Sequence, residues 1–204
     1  MKKEIKKSII NEVHWENGLT YSEYRELIQR LLRINKTTGD NHSEKMLDYT
    51  RLNEQRMNKW EKIAQITDEL KTTVANIKDK QYWLVLTEGW CGDAAQNIPV
   101  INKISTLSPF VELRLLLRDE NLDIMDEYLT DGGRSIPKLI ILNEEFLELT
   151  QWGPRPEAGQ EKVKRMKAGE LTHEEFATEL HTWYAKDRSI SLQSELNKLL
   201  INIA

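Results

Sequence analysis

Residues 88–99 read EGWCGDAAQNIP and directly follow the apolar run YWLVLT of residues 82–87. That run predicts a buried strand, which Gly89 ends, and residues 93–107 predict a helix. Cys91, the only cysteine of the chain, is therefore expected where a strand ends and a helix begins. Free backbone amides and the helix dipole stabilise an anion at such a junction, here a thiolate. A lone cysteine is more usually a small buried apolar residue, so position alone leaves both interpretations open.

The chain after residue 110 continues this alternation of strands and helices. Three further strands are predicted: VELRLLLR at 111–118, KLIILN at 138–143 and FLELTQWG at 146–153, the last two joined by the turn at 143–145. Helices are predicted at 120–129, at 172–186 behind a capping box of Thr172 and Glu175, and at about 190–202. This order predicts an α/β fold with a mixed central sheet and helices on both faces.

The first eighty residues carry no strand pattern and predict helices. Thr20 and Glu23 form a capping box that begins one helix, and Ser43 begins a second, longer helix. The apolar residues of this second helix share one stripe, which we expect to pack in the core rather than to bind a partner: Met46, Tyr49, Met57, Trp60, Ile63, Ala64, Ile66 and Leu70. The predicted organisation is a helical extension at 1–80, an α/β domain at 81–186 and a C-terminal helix at 187–204.

Composition and charge exclude several classes of function. Of 204 residues, 39% are hydrophobic and 30% are charged, which is typical of a soluble globular protein. A net charge of −4 provides no basic field for nucleic acid, and the apolar runs are too short to cross a bilayer. One cysteine and no export signal indicate a reducing cytoplasm. We therefore expect a cytoplasmic protein with neither nucleic acid nor a membrane as a partner; the sequence leaves its oligomeric state open.

The histidines predict neither a metal site nor a cofactor. The chain has four of them, none in metal-ligand spacing and none close to Cys91 in the sequence. His181 lies in the predicted helix FATELHTWY, and we expect it to pack or to face solvent. The turn at residues 152–156, WGPRP, is expected to be structural.

Three separated segments carry a resemblance to a known family. EGWCGDA resembles the active-site segment of the thioredoxin family, whose usual form is Trp-Cys-Gly-Pro-Cys, and Trp90, Cys91 and Gly92 match it. Pro99, inside the following helix, matches the family's helix-kinking proline. GGRSIPKLIIL is similar to the Arg-x-Ile-Pro segment before the family's central strand, with three residues in register: Arg134, Ile136 and Pro137.

The resemblance implies a thioredoxin-like three-layer α/β/α sandwich over residues 81–186, with the N-terminal helices as an extension. A bacterial thioredoxin-like subgroup carries such extensions. In the family the proline at the position of Pro137 is cis and faces the cysteine, and the preceding residue, here Ile136, holds substrate backbone.

The departures from the family are as informative as the matches. Ala94 replaces the second, resolving cysteine, and Val85 replaces the buried acid that accepts a proton when that cysteine attacks. Asp93 replaces the motif's proline. Its carboxylate suits the first turn of a helix but opposes a second negative charge on Cys91. Arg134 is expected either to offset this carboxylate or to be a surface arginine on a turn.

One thiolate can attack a disulfide but cannot release the mixed disulfide that forms. The first hypothesis is therefore monothiol exchange at Cys91 with a protein or a small thiol as substrate and an external thiol for release. The expected substrate-binding residues are Trp90, Gly92, Asp93, Arg134, Ile136 and Pro137. The alternative is a redox-inactive, thioredoxin-fold module that binds proteins. The redox hypothesis requires the sulfur of Cys91 to be open to solvent.

Overall fold

The computed structural model describes residues 8–203. Its sheet has four strands in the order β2-β1-β3-β4, with β1 parallel to β2 and the other two pairs antiparallel. Their bounds are β1 Gln81–Thr87, β2 Val111–Leu117, β3 Lys138–Leu142 and β4 Glu148–Trp152. Helices surround the sheet, so the predicted α/β class with a mixed sheet and N-terminal helices is confirmed. Residues 1–7 and 204, the ends of the two predicted terminal segments, lie outside the described residues.

Nine α-helices are described in this part of the chain. The first four form the N-terminal extension: α1 Glu12–Glu16, α2 Tyr21–Arg33, α3 Glu44–Ile63 and α4 Asp68–Ala75. The other five are α5 Gly92–Ser105, α6 Leu122–Glu127, α7 Glu157–Lys167, α8 His173–Asp187 and α9 Ile190–Ile201. The short helices α1 and α7 were not predicted from the sequence.

The long helix predicted after Ser43 is two helices. α3 ends at Ile63 because Ala64 takes an extended conformation, with φ −62° and ψ 126°. The side chain of Thr67 then accepts a hydrogen bond from the backbone of Leu70 and begins α4. A capping threonine therefore interrupts a stripe that periodicity alone reads as continuous.

The helical extension and the sheet share one core. Buried apolar side chains run without interruption from Trp15 in α1 through Trp60 in α3 and Trp83 in β1 to Leu200 in α9. β3 is buried at all five positions, which explains its unbroken apolar sequence after Lys138. The extension is therefore packed onto the sheet and contributes to the same hydrophobic interior.

The apolar stripe of the second predicted helix is only partly core. Met57, Trp60 and Leu70 are buried as expected, but Tyr49 is 42% exposed and Ile63 is 51% exposed. Leu52 is also 42% exposed. Tyr49, Leu52 and Ile63 lie on one face of α3, because Leu52 is three residues after Tyr49 and Ile63 is eleven residues after Leu52. The prediction that the whole stripe packs in the core is wrong for Tyr49 and Ile63.

No helix within residues 8–203 combines the length and apolar character that crossing a membrane requires.

Candidate functional site

Cys91 lies at the junction that the sequence predicted, as the N-cap of α5, after a loop of residues 88–90 that follows β1. β1 is the neighbour of β3, with Leu86 paired to Lys138, so the end of β1 lies beside the segment that leads into β3. The sulfur donates a hydrogen bond to the carbonyl oxygen of Ile136 over 3.3 Å and accepts one from the backbone N–H of Ala94 over 3.5 Å. The Ile136–Pro137 peptide bond is cis.

The thiol is not open to solvent. Cys91 is 8% exposed, and Ile136 and Pro137 beside it are also buried. Burial and, next, the carboxylate of Asp93 raise the pKa of the Cys91 thiol to about 12, while the Ala94 N–H and Arg155 oppose that rise. The expectation of a solvent-exposed sulfur is wrong, because the segment before β3 and the first turn of α5 enclose the side chain.

Asp93 is the best-satisfied charged residue near the thiol. It is 8% exposed, and its Oδ2 accepts two hydrogen bonds from Arg155, from Nη2 over 2.6 Å and from Nε over 3.1 Å. Its Oδ1 accepts a hydrogen bond from the Tyr184 hydroxyl over 2.7 Å, and Asn97 donates to that hydroxyl over 3.0 Å. Both carboxylate oxygens are therefore used within the protein, which leaves Asp93 poorly placed to bind a substrate.

Arg134 does not offset Asp93. Its guanidinium binds Asp126 with two hydrogen bonds of 2.7 Å and 2.8 Å, and both side chains are about half exposed. The cation beside Asp93 is instead Arg155, which follows β4. Arg134 is thus a surface arginine, the second of the two expectations, and its part in substrate binding stays a prediction.

The turn after β4 brings Arg155 to the site. Gly153 has a φ of +115°, and a Cβ atom built there would lie 2.2 Å from the carbonyl oxygen of Pro137. Only glycine allows this conformation and this approach. The turn at residues 152–156 therefore packs against the cis-proline segment and directs Arg155 toward Asp93, a role that sequence analysis missed because these two residues are 62 positions apart.

A histidine also reaches the first turn of α5. A Cβ atom built on Gly92 would lie 3.2 Å from Cε1 of His181 and 3.4 Å from Nη1 of Arg56, so the absence of a side chain lets α8 and α3 approach. Gln96 contacts His181 Nδ1 at 3.3 Å. Burial and then the nearby Arg56 lower the pKa of His181 to about 4, so this histidine is neutral at physiological pH.

Trp90 is partly buried beside the site. The Arg118 guanidinium lies 4.9 Å from the centre of its indole ring, a cation–π contact. On the other side, Gly39 lies close to the indole nitrogen, since a Cβ built there would be 3.7 Å from Trp90 Nε1. Trp90 is therefore held between the loop before α3 and the segment after β2.

The helical extension binds the loop that precedes Cys91. The backbone N–H of Gly89 donates to the Thr38 hydroxyl over 2.8 Å, and its carbonyl accepts from Asn53 over 3.0 Å. Glu88 in the same loop is fully buried. One of its oxygens accepts from the Asp119 N–H over 2.9 Å, and the other has no hydrogen-bond partner. Burial raises the pKa of Glu88.

The described residues offer no metal centre. Nowhere in residues 8–203 do three or more His, Cys, Asp or Glu side chains group closely enough to hold a metal ion. Val85 is buried in β1 and supplies no charge.

Comparisons with known proteins agree with the fold. A crystal structure of a protein of unknown function from Pseudomonas aeruginosa is 17% identical with a TM-score of 0.61, and the match covers 96% of this chain and 100% of that one. An HIV epitope scaffold is also 17% identical, with a TM-score of 0.60 and coverage of 93% and 96%. These two show a shared fold that includes the helical extension. No curated protein matches the chain.

A family model described as Thioredoxin matches residues 39–167, which is more than half of the chain and includes α3, β1 to β4 and Cys91. The chain therefore belongs to the thioredoxin family.

Proposed function

We propose that this protein is a redox-silent member of its family at neutral pH and acts as a protein-binding module, in which Cys91 is a protonated structural thiol. The observation that carries the proposal is the enclosure of the sulfur. It is buried, it donates to Ile136, and its pKa is raised to about 12. This conclusion favours the alternative hypothesis of the sequence analysis over monothiol exchange.

The raised pKa of the thiol supports the redox-silent state over exchange. A thiol with a pKa of about 12 is ionised at pH 7.5 in only on the order of 10⁻⁴ to 10⁻⁵ of molecules, against about a tenth for an ordinary thiol with a pKa of ~8.5. A more basic thiolate is a better nucleophile, which raises the reaction rate of the ionised thiol by roughly one to two powers of ten. The net expectation is a native thiol about 100-fold less reactive than the same thiol in the unfolded chain.

The surface through which such a module would bind is not the one expected from the family. The carbonyl of Ile136 already accepts the Cys91 thiol, and Pro137 is buried. The apolar side chains of Tyr49, Leu52 and Ile63, which lie on one face of α3, are half exposed instead. We assign the partner surface to this face of the helical extension. The cytoplasmic location and the domain boundaries at residues 80 and 186 stay predictions.

Alkylation kinetics test the proposal. The rate of iodoacetamide reaction with Cys91 is measured at pH 7.5 in the native protein and in the same chain unfolded in denaturant. We expect the native rate to be about 100-fold lower, and no mixed disulfide after incubation with oxidised glutathione. A native rate equal to or above the unfolded rate would overturn the proposal.

Monothiol exchange remains the second candidate, because Cys91 Sγ accepts the Ala94 N–H at the start of α5, a bond that stabilises a thiolate. In that reaction the thiolate attacks one sulfur of a disulfide. A new S–S bond forms, the other sulfur leaves as a thiolate, and an external thiol then attacks the mixed disulfide to release Cys91. Trp90, Gly92, Ile136 and Pro137 would shape its substrate site. Catalytic removal of glutathione from a modified peptide, abolished in Cys91→Ser, would support it.

A further inference from the structure

We propose that Asp93 is a positioning residue for Cys91: its carboxylate, held in place by Arg155 and Tyr184, adds to the burial that keeps the neighbouring thiol protonated. This inference rests on the proposed protonated state of Cys91. It adds which residue reinforces that state and how the C-terminal part of the chain reaches the thiol.

The geometry holds the Asp93 charge in place. Two nitrogens of Arg155 donate hydrogen bonds to Asp93 Oδ2, and the Tyr184 hydroxyl donates to Asp93 Oδ1. The two bonds from Arg155 are charge-assisted, because a guanidinium keeps its positive charge. Arg155 is itself anchored by a 2.8 Å hydrogen bond from Nη1 to Gln160 in α7. The carboxylate therefore cannot rotate away without breaking three bonds.

The position of this anion sets its effect. Asp93 is two residues after Cys91 in the first turn of α5, and both side chains are 8% exposed. Two negative charges this close, away from water, repel each other strongly, so the second one to form is the thiolate.

Asp93 is the charged neighbour that raises the pKa of the Cys91 thiol most. The titratable and charged groups that face Cys91 and Asp93 come from each packed element: Tyr24 from α2, Arg56 from α3, Glu88 from the loop before α5, Arg155 from the loop after β4, and His181 and Tyr184 from α8. The tyrosines and His181 are neutral at physiological pH. The two arginines favour a thiolate, yet Asp93 raises the thiol's pKa more than Arg155 lowers it.

The test is the pH profile of Cys91 alkylation in Asp93→Asn, compared with the wild type. Losing the Asp93 charge lowers the pH at the midpoint of the profile. For each pH unit of that shift, the larger fraction of thiolate outweighs its weaker nucleophilicity, and the alkylation rate at pH 8 rises about threefold. We expect at least that threefold rise. The matched control is Asp126→Asn, which removes a carboxylate with the same two-bond arginine pair at the exposed surface and leaves the rate unchanged.

A second variant guards against misfolding, because Asp93→Asn leaves Arg155 buried without its partner. Asp93→Asn/Arg155→Met removes both charges, a replacement that buried ion pairs often tolerate. The expected order of midpoints, from lowest to highest pH, is Asp93→Asn, then the double variant, then wild type. Denaturation curves confirm that each protein is folded under the assay conditions.

The outcomes separate this inference from the proposed function. A wild-type thiol that already reacts quickly at pH 7.5 overturns the proposed function. A slow wild type with equally slow Asp93 variants overturns the inference alone, because Asp93 would then be merely structural. The expected order of midpoints supports both.

Discussion

Cys91 is flanked by two buried carboxylic acids, Glu88 three residues before it and Asp93 two residues after it, and the protein treats them differently. Glu88 accepts a hydrogen bond from the Asp119 backbone N–H, and its other oxygen has no hydrogen-bond partner. Asp93 is paired with Arg155 through Oδ2 and bonded by Tyr184 through Oδ1. The two acids show that distant segments, and not burial alone, decide which partners a buried carboxyl group has.

The partners come from opposite ends of the chain. The loop that holds Glu88 is bonded by the N-terminal extension, through Thr38 and Asn53. The first turn of α5 is bonded by segments that follow β4. We call the Glu88 side of the thiol, where the loop is bonded by uncharged groups, the neutral side, and the Asp93 side, which carries Arg155, the charged side. The two sides therefore contact two separate additions to the sheet.

The largest expected effect comes from removing the cation on the charged side. Arg155→Met leaves Asp93 buried and unpaired, and we expect the free energy of unfolding to fall by about 3–5 kcal/mol. Arg134→Met, which removes the same side chain from an exposed pair with Asp126, should cost about 0–1 kcal/mol. Urea denaturation measures both. Equal losses in the two variants would show that the Asp93–Arg155 pair contributes no more than a surface ion pair.

A smaller effect is expected from the other bond to Asp93. Tyr184→Phe removes the hydroxyl that donates to Oδ1, and a hydrogen bond to a charged group contributes about 1.5–3 kcal/mol. The same denaturation assay measures this loss. Tyr49→Phe, at a half-exposed site on α3, is the control and should change stability by less than about 0.5 kcal/mol. A Tyr184→Phe protein as stable as this control would remove Tyr184 from the account.

The smallest effect is expected on the neutral side and depends on pH. Burial raises the pKa of Glu88 in the folded protein above its usual 4.5. The protonated acid therefore stabilises the fold below pH ~4.5, and this contribution is lost as the pH rises through the folded pKa. Glu88→Gln keeps a neutral group at every pH. We expect the free energies of unfolding of wild type and variant to differ least in acid. As the pH rises, the variant should become more stable relative to the wild type.

Unfolding free energies of both proteins between pH 4 and pH 8 measure this difference. A wild type that gains stability over Glu88→Gln with rising pH would mean that Glu88 is held as an anion, like Asp93.

The sequence predicted what depends on local pattern. The strands around YWLVLT and KLIIL, the capping boxes at Thr20 and Thr172, and the place of Cys91 between a strand and a helix all follow from residues close together in the chain. Matches at distant positions then identified the family, which the Thioredoxin model confirms.

The environment of the thiol could not be predicted in the same way. Asp93, which acts on that thiol, is bonded by Arg155 from 62 residues away and by Tyr184 from 91 residues away. Arg134 was the nearer candidate in the motif, yet Asp126 binds it eight residues away. The exposure of Cys91 likewise depends on how closely the segment before β3 packs, which no periodicity records.

The protonation state of Cys91 can be measured directly, because the chain has one cysteine and therefore gives one signal when cysteine Cβ is labelled with ¹³C. The chemical shift of that signal is followed by NMR from pH 5 to pH 9.5. We expect the ¹³C chemical shift of Cys91 Cβ to stay at the value of a protonated thiol over the whole range. A titration step with a midpoint at or below about pH 8.5, the value of an ordinary thiol, would contradict it.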